Sequence, residues 1–199
     1  MLSLQMVAYI YFFFCFVFLS FAVNGQRFHS FTLLATSGKT VNLKEFQKKR
    51  AIVLVFFSNY CIYAQKYHPR IQSYIQEYSS KDIQFLFINS NDPAQSIQDN
   101  FAYSKEYVAI KEISVPYLLD SLQQIAKNLQ VFKNPECIVA IWDSDSYKIL
   151  YRGMIDNDPL SVHKLRNDYL RTSLENIVMG SLDTIPYTKP LGCDIRWRE

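Results

Sequence analysis

The side chains best suited to chemistry in this 199-residue chain are its four cysteines, Cys15, Cys61, Cys137 and Cys193. Cys61 has the most telling surroundings. An apolar run over residues 51–57 is short enough for a strand and lacks alternation, the pattern of a strand buried on both faces. Ser58, Asn59 and Tyr60 break it. From Cys61 onward Ala64, Tyr67, Ile71, Tyr74, Ile75 and Tyr78 fall on one helical stripe. Cys61 is therefore expected where a buried strand hands over to a helix. Free N–H groups and the helix dipole favour the thiolate there. A thiolate is the nucleophile of disulfide exchange and of peroxide reduction. The competing reading is a buried cysteine used as a small hydrophobe. No cysteine pair has zinc-finger spacing, and His29, His68 and His163 are scattered. No metal site is expected.

The compartment is suggested by the other end of the chain. Residues 1–26 carry no charged side chain, and residues 6–23 are apolar apart from Ser20. Such a run does not sit on the surface of a soluble domain. It is read as a signal peptide or membrane anchor over residues 1–25, which places the remainder of the chain outside the cytoplasm. Without Cys15, three cysteines remain, so at least one is free or intermittently paired.

Nearly half of the residues are hydrophobic, and 15 Phe and 14 Tyr provide for a substantial core. The net charge of +3 is spread without a basic face, which speaks against nucleic-acid binding. A hairpin is expected over residues 31–42, turning at Gly38. Further strands are expected at 51–57, 83–88, 115–120, 137–142 and 149–152, and helices at 61–78, 94–107, 122–131 and 160–179. Alternating strands and helices imply a central, partly parallel sheet with helices on both faces. The expected organisation is one α/β domain over residues 26–180 and a tail over residues 181–199.

Five segments, in order, carry a resemblance. They are Phe56-Phe57-Ser58-Asn59-Tyr60-Cys61-Ile62-Tyr63-Ala64, Val115-Pro116-Tyr117-Leu118-Leu119-Asp120 and Lys133-Asn134-Pro135-Glu136, then Leu150-Tyr151-Arg152-Gly153-Met154-Ile155-Asp156 and Lys189-Pro190-Leu191-Gly192-Cys193-Asp194-Ile195-Arg196-Trp197. Together they resemble the AhpC/TSA-type redoxins, which are peroxiredoxin-like members of the thioredoxin superfamily. The branch is one with a single cysteine at the active-site helix and a Gly-Cys-x-Ile-x-Trp tail. The resemblance implies a thioredoxin-like fold and a cis peptide before Pro135, which with Asn134 lines the substrate groove. Asn59 and Tyr60 flank Cys61 and are expected to shape access to that groove, and Arg152 is expected to support an anion or the thiolate beside it. It implies Cys61 as nucleophile, with Ser58 able to donate a hydrogen bond to a peroxide or to the thiolate. Two positions depart from better-known relatives. Ala64 stands where thioredoxins have their second cysteine, so no local dithiol exists. Leu54 stands where typical peroxiredoxins have proline.

Cys193, on the tail, is the expected resolving partner of Cys61. A free Cys193, or a bridge from it to Cys137, is the alternative. Cys137 itself is expected to be an inert core residue, and His68 a surface residue. The chain is therefore expected to be a thiol-based oxidoreductase without cofactor. It would act on peroxide or on protein thiols and disulfides, draw on a thiol reductant, and touch a membrane only through an uncleaved N-terminus. The alternative is a non-enzymatic module that binds a partner beside Pro135. Copper handling is disfavoured because Gln65 stands where a Cys-x-x-x-Cys pair needs its second thiol.

Overall fold

The computed structural model describes residues 26–160 and 167–199. The expected signal or anchor segment lies outside them. The closing helix predicted over 160–179 is observed over Tyr169–Val178: Leu160 lies in a turn, and Asp168 caps the helix by accepting from the Arg171 N–H. Among the described residues, no helix is long and apolar enough to cross a membrane.

An eight-stranded sheet forms the centre. Its strands are β1 (Arg27–Phe28), β2 (Thr32–Ala35), β3 (Thr40–Asn42), β4 (Ala51–Phe56), β5 (Ile83–Asn89), β6 (Tyr117–Leu119), β8 (Glu136–Asp143) and β9 (Ser146–Gly153), in the spatial order β1-β9-β8-β4-β5-β6-β2-β3. β4, β5 and β6 are mutually parallel, and the remaining pairings are antiparallel. Two short strands, β7 (Lys133–Asn134) and β10 (Cys193–Asp194), pair antiparallel apart from it.

Every residue of β4 is buried, as its unbroken apolar run requires. Ala51, Val53 and Val55 face helices α1 (Ile62–Ser79) and α4 (Tyr169–Val178). Ile52, Leu54 and Phe56 face the hairpin, α3 (Gln124–Asn128) and Ile195 of the tail. The sheet is thus covered on both faces. At roughly 25 cal/mol per Å² of apolar surface, this double burial is what makes β4 a firm anchor for the turn and helix at its carboxyl end.

Local departures from expectation have clear causes. The predicted 94–107 helix is a short 3-10 turn, Ile97–Asp99, and then α2 (Phe101–Ile110). Asn100 divides them because its side chain caps α2 by accepting from the Tyr103 N–H. The helix predicted over 122–131 is the shorter α3, Gln124–Asn128, and Ser121 does not cap it. Asp120 accepts from the Ile125 and Ala126 N–H groups instead, with Gln123 in the left-handed region at φ 59°.

Candidate active site

Cys61 is the N-cap residue of α1, immediately after the turn at the end of β4. Its Sγ is bonded to that of Cys193, with the two Cα atoms 5.8 Å apart, ordinary disulfide geometry. The bridge joins residues 132 positions apart in sequence. Of the alternatives left open by sequence, the structure therefore pairs Cys193 with Cys61. Cys137 is free and fully buried, and burial pushes its thiol well above the ordinary range.

The tail reaches Cys61 through the loop at Pro135. The Asn134–Pro135 peptide is cis, and Asn134 pairs directly with Cys193. The Asn134 carbonyl oxygen lies 3.1 Å from Cys61 Sγ, where it can accept from a reduced thiol. Gly192 explains how closely these backbones pack. A Cβ at that position would collide with the Asn134 carbonyl group, so the Gly-Cys pairing in the tail is a steric requirement. An open cavity of about 450 Å³ borders the disulfide, with Tyr60, Ile62, Gln65, Asn91 and Arg196 in its wall. Tyr60 is 69% exposed, whereas Cys61 is 3% exposed and Cys193 half-buried. Cys193 is therefore the more exposed of the two bridged residues.

Several predicted site residues serve other ends. Ser58 borders the cavity, but its hydroxyl donates to Asp99 at 2.9 Å, so its proton is not directed at sulfur. Asn59 does not line a groove. It is buried, donates through Nδ2 to the Gln98 carbonyl and Ser104 Oγ, and accepts from the Tyr117 hydroxyl at 2.6 Å. Arg152 does not serve the thiolate either. It pairs with buried Glu136 at 2.7 Å and donates to the Leu129 and Gln130 carbonyls. Burial raises the Glu136 carboxyl against the opposing pull of Arg152. His68 is buried rather than exposed, with its ring edge-on to Phe57 and Tyr107.

Two groups at the site have no clear signature in the sequence. Buried Asp99 accepts from Ser58 Oγ, the Asn59 N–H, Asn89 Nδ2, Asn91 Nδ2 and Ser96 Oγ, all at 2.6–2.9 Å. A buried carboxylate without a cation is tolerable when donors saturate it. Asn91 links this hub to both other parts of the site. Its Oδ1 accepts from the Arg196 N–H of the tail at 2.9 Å and from Asn134 Nδ2 at 3.4 Å. The polar run Asn89-Ser90-Asn91-Asp92 is the only sequence signal, and by itself it indicates no more than a turn.

Among the solved structures that resemble the chain are three that cover most of it. An uncharacterized conserved protein from Geobacillus kaustophilus has a TM-score of 0.81 at 24% identity, over 90% of this chain and 94% of its own. The hypothetical protein SMc02350 from Sinorhizobium meliloti 1021 has a TM-score of 0.80 at 22% identity, over 88% and 95%. The thioredoxin domain of the thiol-disulfide oxidoreductase BVU-2223 from Bacteroides vulgatus has a TM-score of 0.56 at 15% identity, over 78% and 98%. At these identities the likeness establishes a thioredoxin-like fold. No curated protein matches the chain. The model of the AhpC/TSA family matches residues 24–155, from before β1 through β9 and including Cys61 and Pro135. On that match, this chain belongs to the AhpC/TSA family.

Proposed function

We propose that the protein is a thiol oxidoreductase that cycles between the Cys61–Cys193 disulfide and the corresponding dithiol, and that its reaction is thiol–disulfide exchange. The observation that carries this reading is the bridge itself. It lies at the N-terminus of α1, against the cis Asn134–Pro135 peptide, at the edge of an open cavity.

In the reduced enzyme the Cys61 thiolate attacks one sulfur of a substrate disulfide, and the other leaves as a thiolate that takes up a proton. Cys193, deprotonated, then attacks Cys61 Sγ. The Cys61–Cys193 bond forms and the second substrate thiol is released. An external dithiol reverses the change by attacking Cys193 Sγ, on the more exposed of the two residues. Cys61 leaves as a thiolate stabilised at the helix N-terminus, and the second donor thiol resolves the mixed disulfide.

Peroxide reduction would pass through a Cys61 sulfenic acid, which Cys193 would condense with the loss of water. It is the less supported route because Ser58 and Arg152, the expected donors to peroxide or thiolate, are engaged with Asp99 and Glu136. The reaction needs no cofactor. Its partners are a disulfide-bearing substrate and a thiol reductant. The apolar residues 1–25 and the disulfide favour a location outside the cytoplasm.

Parallel assays with a disulfide-bonded peptide and with hydrogen peroxide test the reading. Disulfide turnover is expected to fall about a thousandfold or more in both Cys61→Ser and Cys193→Ser, and by no more than about twofold in Cys137→Ser. Peptide turnover that survives Cys61→Ser would sink it; peptide binding without turnover, equal in wild type and Cys61→Ala, would select a binding module instead. Faster Cys61-dependent consumption of peroxide than of peptide would replace exchange with peroxidase chemistry.

A further inference from the structure

The disulfide is only one of the bonds that hold the tail in place. Beyond Cys193, the Ile195 N–H donates to the Phe132 carbonyl at 3.0 Å. The Arg196 N–H donates to Asn91 Oδ1, and the Arg196 carbonyl accepts from the Asp92 N–H at 2.8 Å and from Gln123 Nε2 at 2.7 Å. The Arg198 N–H donates to Gln123 Oε1 at 2.8 Å. Ile195 is buried in the core beneath the hairpin, and Trp197 meets Phe132 edge-on. None of these contacts involves sulfur.

Two side chains stand out because each grips the tail backbone from a buried, fixed position. Gln123 is fully buried. Its left-handed backbone turns the amide so that Nε2 also donates to the Ser90 carbonyl, leaving both ends of the amide engaged. Asn91 is held from behind by its Nδ2 bond to Asp99, which is also bonded to the Ser58–Asn59 turn before Cys61.

We propose that Asn91 and Gln123 are positioning residues that keep the tail docked, and hence Cys193 against Cys61, in the dithiol state as well as in the disulfide. This rests on the redox cycle proposed above. Held this way, Cys193 attacks Cys61 from a set geometry, an intramolecular step with a high effective concentration.

Two measurements test this. Hydrogen exchange on the Cys193→Ser protein, where no bridge can form, should show protected amides at Ile195, Arg196 and Arg198. That protection should disappear when Asn91→Ala and Gln123→Ala are added. Equilibration of the full chain with reduced and oxidised glutathione should show the disulfide's equilibrium constant at least about tenfold lower in the Asn91→Ala/Gln123→Ala double variant, a rise of about 30 mV in potential. Should the double variant not fold, each single substitution is expected to give about a threefold loss. Tyr147→Phe is the control. It removes a buried hydrogen bond to the Leu43 carbonyl and none of the hydrogen bonds that hold the tail. Unprotected tail amides in Cys193→Ser would overturn the proposal. So would a loss in the double variant no larger than that in Tyr147→Phe. If the wild-type pair does not exchange with glutathione at all, the redox cycle fails, and hydrogen exchange alone decides whether Asn91 and Gln123 hold the tail.

Discussion

Cys61 and Cys137 belong to the same apolar cluster between the sheet and α1, yet their surroundings differ completely. Cys137 sits within β8, paired with Val55 of β4, and its sulfur lies near the Gly153 carbonyl at 3.4 Å. Burial and the neighbouring Glu136 both push its thiol upward. Cys61 lies just past the end of β4, where the chain turns, a helix begins and a cavity opens. One strand therefore positions both sulfurs. Moving from inside the ladder to its carboxyl end takes a cysteine from a packing position to one where free N–H groups, solvent and a second chain segment converge, the setting on which the proposed redox role of Cys61 rests.

The sharpest break of this comparison is alkylation. In the Cys193→Ser protein at near-neutral pH, Cys61 is expected to react with iodoacetamide at least about a hundredfold faster than Cys137, which has to wait for an opening of the core. Mass mapping of the modified peptides gives both rates in one sample. Similar rates for the two cysteines would remove the basis for assigning different roles to them.

A smaller effect is expected from Gly192→Ala. The added methyl would meet the Asn134 carbonyl group and crowd the Pro135 nitrogen, and backbone atoms on a paired strand have little room to give. An overpacking cost of about 1–3 kcal/mol falls on the docked tail alone. It should lower the Cys61–Cys193 equilibrium constant about tenfold to a hundredfold and leave Cys137 unlabelled. An unchanged constant would mean that the tail tolerates a wider separation from Pro135 than its pairing implies.

Legibility in the sequence divides along the same line. β4, α1, the placing of Cys61 between them and the burial of Cys137 are readable because each is encoded within one stretch of chain. The cis peptide at Pro135 and the Gly192-Cys193 tail are readable only through a pattern of ordered motifs. Asp99, Asn91 and Gln123 are not readable at all. Their partners lie far along the chain: 41 positions from Ser58 to Asp99 and 105 from Asn91 to Arg196. A polar residue in a turn looks the same whether it faces water or a buried backbone group. Arg152 misleads for the converse reason. Its position on the strand is as expected, but the pairing of β8 with β9 sets Glu136 within its reach.

His68 gives the smallest expected effect and separates stability from reactivity. Its ring lies between Phe57 and Tyr107, and burial, with a minor contribution from Lys111, lowers its affinity for a proton. The unfolded chain, with an ordinary histidine pKa of about 6.5, therefore binds that proton more readily than the folded one. Above that pH both forms are neutral and His68 has no pH-dependent effect. As the pH falls below it, the unfolded state gains protons first and stability drops. Urea titrations of wild type and His68→Gln at pH 7.5 and pH 5.5 isolate this effect by difference. The wild type should lose up to about 1 kcal/mol more than the variant over that interval. The pH dependence of Cys61 alkylation should be the same in both proteins, since His68 is buried among aromatic rings nearly two turns beyond the helix start. A shift in that profile would make His68 a partner of the Cys61 thiol, and the contrast with Cys137 would then rest on a base as well as on a helix terminus.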